Sequence, residues 1–186
     1  MKRISILVAL AVALLLTACA QKQKENQTVE TKTLVAYFSA TGTTAAAAQK
    51  VAAVTGGDLH EIQPAEPYTE ADLDWRDKQS RSSVEMADKS SRPAIKNTVE
   101  NIEKYDTIYV GFPIWWGIAP TIVNTFLEQY KLEGKTLVPF FTSGSSDKGE
   151  TLNYLQPSAP NGNWKEPMSL NNLSQDDVKK WVESMK

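Results

Sequence analysis

The sequence predicts an α/β fold, an open five-stranded parallel sheet with helices on both faces, and three observations carry that expectation. Apolar runs at residues 34–38, 107–112 and 136–141 lack the alternation of a half-exposed strand, as strands covered on both faces do. Segments with apolar residues at helical spacing lie between them. The 186 residues, 41% hydrophobic and 23% charged, with 9 Gly and 9 Pro spread along the chain, suit one folded domain and are too few for two ordinary ones.

The first eighteen residues are set apart from that domain. Lys2 and Arg3 precede an apolar run over 4–16 that is shorter than the ~20 residues a spanning helix needs, and small residues follow it. This is the pattern of a secretory signal. Its end, Leu16-Thr17-Ala18-Cys19, resembles a bacterial lipobox. That resemblance implies cleavage before Cys19, a lipid on its thiol, and a membrane-anchored place in the cell envelope outside the cytoplasm. Removing Lys2 and Arg3 with the signal would take the formal charge from −2 to −4. Residues 20–32 are Gln, Lys, Glu, Asn and Thr with only Val29 to bury, so residues 19–32 read as the lipidated Cys and a disordered tether reaching about 20 Å. The folded domain is expected over 33–186.

Its elements follow in order. The run Leu34-Val35-Ala36-Tyr37-Phe38 is a strand, Ser39 to Thr44 a loop, and alanine-rich 45–54 a helix stopped by Gly56-Gly57. Residues 59–62 form a weak second strand before Pro64 and Pro67, and 70–91 is polar and partly helical. The third strand, 107–112, ends at Pro113. Ile122, Val123, Phe126 and Leu127 place a helix over 119–130, closed by Gly134, ahead of the fourth strand at 136–141. Asp147 with Glu150 reads as a capping box opening a helix through Leu155, and Ser174 with Asp177 repeats it before the last helix, to Met185. Between these a weak fifth strand is expected near 164–170.

Composition excludes several functions. A charge of −2 supplies no basic field for nucleic acid. One Cys precludes an intramolecular disulfide or thiolate metal cluster, and the single histidine, His60, precludes a multi-histidine site. His60 lies in the weak second strand with no nucleophile or orienting acid in a recognisable pattern near it.

In such a sheet, ligands sit beyond the carboxyl ends of the strands where strand order reverses, which singles out three loops. Ser39, Thr41, Gly42, Thr43 and Thr44 offer hydroxyls and a permissive backbone at a helix N-terminus, a cradle for phosphate; alone, such a turn is more often plain N-capping. With no Lys and no G-x-G-x-x-G it is neither a Walker loop nor a dinucleotide turn. Pro113, Ile114, Trp115, Trp116 and Gly117 put adjacent indoles where a flat aromatic ligand needs a wall, or at the edge of the core. Thr142, Ser143, Gly144 and Ser145 could meet the polar edge of a planar ring, or form only a tight turn. Tyr68 and Trp75 lie in the polar 70–91 region or just before it and read as cover for the end of the sheet, the alternative being a lid.

Taken together, Ser39-x-Thr41-Gly42-x-Thr44, Pro113-Ile114-Trp115-Trp116-Gly117 with Pro120 and Thr125-Phe126-Leu127-Glu128, and Thr142-Ser143-Gly144 resemble the flavodoxin-like family over 33–186. The resemblance implies strand order 2-1-3-4-5 and noncovalent FMN. It makes the first loop the phosphate cradle, Trp115 or Trp116 the ring wall, and 142–145 the contact for the pyrimidine edge. The chain departs from many relatives in its long polar turn at 145–149. Electron transfer to a redox partner protein is the function implied. The alternatives are an FMN-dependent reductase of a small, quinone-type acceptor and a non-catalytic binding module. Two consecutive residues in an extended loop cannot easily turn both rings to one face, so one indole is expected to stack and the other to pack inward, with Trp115 favoured for stacking.

Overall fold

The computed structural model describes residues 32–185. The signal over 1–18, Cys19 and the tether, apart from its last residue Lys32, lie outside the described residues. The observed elements are β1 (Lys32–Tyr37), α1 (Thr43–Thr55), β2 (Asp58–Glu61), α2 (Arg81–Ala87), β3 (Tyr105–Pro113), α3 (Thr121–Glu128), β4 (Thr136–Thr142), α4 (Thr151–Leu155), β5 (Asn163–Trp164), β6 (Met168–Ser169) and α5 (Gln175–Glu183).

The sheet runs β2-β1-β3-β4-β5, with β6 also on β4, and every pairing is parallel. This is the expected order with its fifth strand divided. β5 pairs Trp164 with Leu137 and β6 pairs Met168 with Phe140, so four residues on one side span three on the other. Pro167, which has no N–H to give a ladder, lies in the break.

Successive residues of β1 serve opposite faces, and both faces are buried. Leu34, Ala36 and Phe38 join Ile108, Val110 and Phe112 beneath α3, whose Ile122, Phe126 and Leu127 are fully covered. Val35 joins Tyr109, Val138 and Phe140 beneath α1 and α5, where Ala48, Val51, Val178 and Trp181 pack. Burial on both sides removes the alternation from these strands. The Ser174–Asp177 capping box forms as expected.

The Asp147–Glu150 capping box does not form. A helix opened at Asp147 needs a right-handed backbone through residue 149, and Gly149 has φ +52°, so α4 begins only at Thr151. Asp147 Oδ1 instead accepts the Lys148 N–H at 2.7 Å. Helix α3 is also shorter than its apolar spacing suggests, starting after Pro120 and ending at Glu128. In the polar stretch between β2 and β3 the one α-helix is α2, capped by the Ser80 side chain, which accepts the Ser83 N–H.

Candidate functional site

A cavity of about 570 Å³ opens at the carboxyl ends of β1, β3 and β4, where the order reverses, and no ionisable side chain lines it. Each of the three loops singled out in the sequence contributes.

After β1 the chain turns through Gly42, whose φ of +86° lies in the left-handed region that glycine occupies without strain. The Ser39 hydroxyl holds the turn by accepting the Gly42 N–H at 3.1 Å. With glycine at its N-cap, α1 has no side-chain cap and no acidic residue in its first turn, so plain N-capping does not account for the hydroxyls. The positive end of the helix dipole is left facing the cavity mouth beside Thr41 and Thr43, both exposed, their Oγ1 atoms 3.3 Å apart. Thr44 differs from them. It is buried, and its Oγ1 meets Thr142 Oγ1 at 2.8 Å, tying this loop to the end of β4. Thr41, Thr43 and Thr44 line the cavity; Ser39 and Gly42 only shape the turn.

The segment after β3 is not the extended loop expected from its sequence. Trp115 and Ile118 exchange backbone hydrogen bonds of 2.9 and 3.1 Å, and the residues between them, Trp116 and Gly117, have φ of +46° and +83°. Two consecutive positive φ values are those of a type I′ turn. Gly117 adopts this freely; Trp116, a bulky residue, is held there at a cost of about 1–2 kcal/mol. The turn also separates the indoles. Trp115 packs inward, edge-on to Phe38 at 5.6 Å and to Tyr68 at 5.5 Å. Trp116, at the tip, is 49% exposed and borders the cavity. Pro113, Ile114 and both indoles line it, whereas Gly117 does not. The geometry therefore favours Trp116 over Trp115 as the free ring face, the reverse of the sequence-based preference.

Thr142, Ser143 and Gly144 line the cavity and Ser145 lies outside it. The Ser143 N–H is already engaged, donating to Asn171 Oδ1 at 2.9 Å, and the Ser143 hydroxyl donates to the Ser146 carbonyl. A planar ring edge would thus be met at Gly144. Asn171, just after β6, is a positioning residue with no local signal in the sequence.

Leu73, Trp75 and Ser82 make a fourth contribution to the cavity lining, for which the sequence offers only the lid alternative at Trp75. Trp75 carried a signal, an aromatic in a polar stretch, but reads there as cover for the sheet. Tyr68 fulfils that role, wedged between Phe38 and Trp115, while Trp75 faces the cavity and is 64% exposed. Burial and hydrogen bonding to Glu85 hold the Tyr68 hydroxyl far above the usual phenol range. His60 lies away from the site, its ring 5.8 Å from Phe126. Burial lowers its pKa below the usual imidazole value, partly opposed by the nearby Glu61 carboxylate.

A family model described as flavodoxin matches residues 32–185. Candidate flavoproteins of known structure from Bacteroides eggerthii and Bacteroides uniformis are each 55% identical to this chain. Each covers 82% of it, over 96% and 98% of their own lengths, with a TM-score of 0.79 in both cases. A flavoprotein from Lactobacillus acidophilus, solved in complex with FMN, is 24% identical, with a TM-score of 0.64 over 82% of this chain and 99% of its own. No curated protein matches the chain.

Proposed function

Because the chain belongs to the flavodoxin family, we propose that the cavity holds FMN noncovalently and that the protein works in electron transfer, tethered to a membrane through a lipid on Cys19. The observation that carries the cofactor is the uncapped N-terminus of α1 with the exposed Thr41 and Thr43 hydroxyls beside it. These are neutral donors and a helix dipole, the chemistry that suits a phosphate where no lysine or arginine is present. The cavity volume falls in the range of about 300–1,000 Å³ usual for small-molecule sites, and its apolar walls suit a fused aromatic ring. The residues present therefore fit the group.

Bound there, FMN supplies the redox chemistry, taking up and releasing electrons at its isoalloxazine ring. The chain holds and orients it. Thr41, Thr43 and the first turn of α1 bind the phosphate. Trp116 presents a ring face, and Trp115, braced by Phe38 and Tyr68, backs the turn that carries it. Gly144 meets the polar edge. Trp116, half in water, leaves the ring region open to a redox partner. A second reading, reduction of a small quinone-type acceptor, draws on Trp75, a second exposed indole lining the cavity.

Purifying the full chain in detergent tests the cofactor: the expected result is a yellow protein that releases FMN on denaturation. A colourless chain that takes up no added FMN would refute this reading. Steady reduction of a soluble quinone with a nicotinamide donor would favour the reductase, and turnover only with a protein partner the carrier.

Among the described residues no helix is long and apolar enough to cross a membrane, and the attachment proposed is through Cys19. Two or three acyl chains anchor durably where one is marginal. Cys19→Ala is expected to move the protein from the membrane to the soluble fraction after a high-salt wash. Retention of the variant in the membrane would refute the lipid anchor.

A further inference from the structure

The cofactor cavity is walled by four segments, of which only three follow strands β1, β3 and β4. Leu73, Trp75 and Ser82 reach it from the connection between β2 and β3, and two features make that connection a built wall.

It is latched to the base of the tryptophan turn. Tyr68 stands edge-on to both Phe38 and Trp115, and the Arg81 guanidinium lies 4.0 Å over its ring. The Tyr68 hydroxyl donates to Glu85, whose other oxygen accepts Arg81 Nε at 2.7 Å, and Arg81 also donates to the Glu66 carbonyl at 2.7 Å. Ser82 follows Arg81 directly, and its own N–H donates to the Asp72 carbonyl at 3.0 Å, so its position is set from both sides.

The groups this wall turns to the cavity are also short of partners. Ser82 is only 2% exposed, and among the described residues the one hydrogen bond of its hydroxyl is to Ser80 Oγ at 3.5 Å, beyond the range of a good O–H···O bond. Buried hydroxyls are normally well bonded, and this one, held only weakly by Ser80 and lining the cavity, has a proton to give a ligand there. Trp75 is 64% exposed and covered only in part by the Arg76 guanidinium, 4.4 Å from its ring. An indole left this bare beside an apolar cavity gains most by covering a flat ligand.

We infer that Trp75 and Ser82 contact the bound FMN, the indole covering part of the flavin and the hydroxyl donating a hydrogen bond to it. The β2–β3 connection is then a fourth wall of the cofactor site that restricts access from its side. This rests on the FMN reading above. It confines electron exchange to the side of Trp116.

Titrating the full chain with FMN, read by flavin fluorescence and by iodide quenching of the bound flavin, tests it. Ser82→Ala is expected to raise the Kd about three- to tenfold. Trp75→Ala should raise it by a similar factor, brighten the bound flavin and increase iodide access severalfold, with Trp75→Phe restoring most of the shielding. Trp75 is largely outside the core, so Tm should stay at the wild-type value. Wild-type affinity, brightness and iodide access in both alanine variants, with the wild-type chain binding FMN, would overturn the inference alone. A wild-type chain that binds no FMN would overturn the cofactor reading and this with it.

Discussion

Replacing Thr41 and Thr43 together with alanine is expected to weaken FMN binding by about two to four decades while leaving riboflavin binding close to wild type. The two hydroxyls are exposed and are held by little besides each other, at 3.3 Å, so the fold loses almost nothing with them. With no charged side chain lining the cavity, each hydrogen bond to a phosphate oxygen is worth roughly 1.5–3 kcal/mol, and two lost together give the stated range. Riboflavin has no phosphate and isolates the effect. Thr44→Ala should behave differently. It removes the buried bond to Thr142 that joins two walls of the site, so both flavins should bind less well. If the double variant lost FMN and riboflavin equally, the α1 turn would not be the phosphate site.

The two tryptophan variants should fail in different ways. Trp115→Ala removes a partly buried ring with edge-on contacts to Phe38 and Tyr68 and is expected to cost about 2–4 kcal/mol of stability, measured by denaturant unfolding of the apoprotein. Trp116→Ala removes a half-exposed ring held at φ +46° and should change apoprotein stability by less than about 1 kcal/mol. FMN affinity responds in the opposite order. Losing the stacked face and its buried area at Trp116 should weaken FMN by about ten- to a hundredfold and brighten the remaining bound flavin. Intact FMN affinity and quenching in Trp116→Ala would remove Trp116 from the site and return the ring wall to Trp115.

Much of the fold was legible because its cause is local. Strands β1, β3 and β4 are buried on both faces, and that leaves continuous apolar runs at Leu34, Ile108 and Leu137 and their neighbours. The helices show where apolar side chains recur at helical spacing, as in Ile122, Val123, Phe126 and Leu127. The boundaries that failed depend on backbone dihedrals with no hydropathic trace: the positive φ of Gly149, which prevents the Asp147 cap, and the break that splits the fifth strand at Pro167.

The sequence by itself determined the α/β class and the three loops that follow its apolar strands, one of them rich in hydroxyls, since these follow from composition and periodicity over short windows, whereas the strand order and the phosphate reading came with the family resemblance. Tertiary structure alone decided which tryptophan faces outward, because the hydrogen bonds between Trp115 and Ile118 force a type I′ turn that local sequence reads as an open loop. It likewise engaged the Ser143 amide with Asn171, 28 residues away, and carried Leu73, Trp75 and Ser82 to the cavity from the β2–β3 connection. Those placements rest on contacts between segments distant in sequence, and such contacts exist only once the sheet has set the register that brings the segments together.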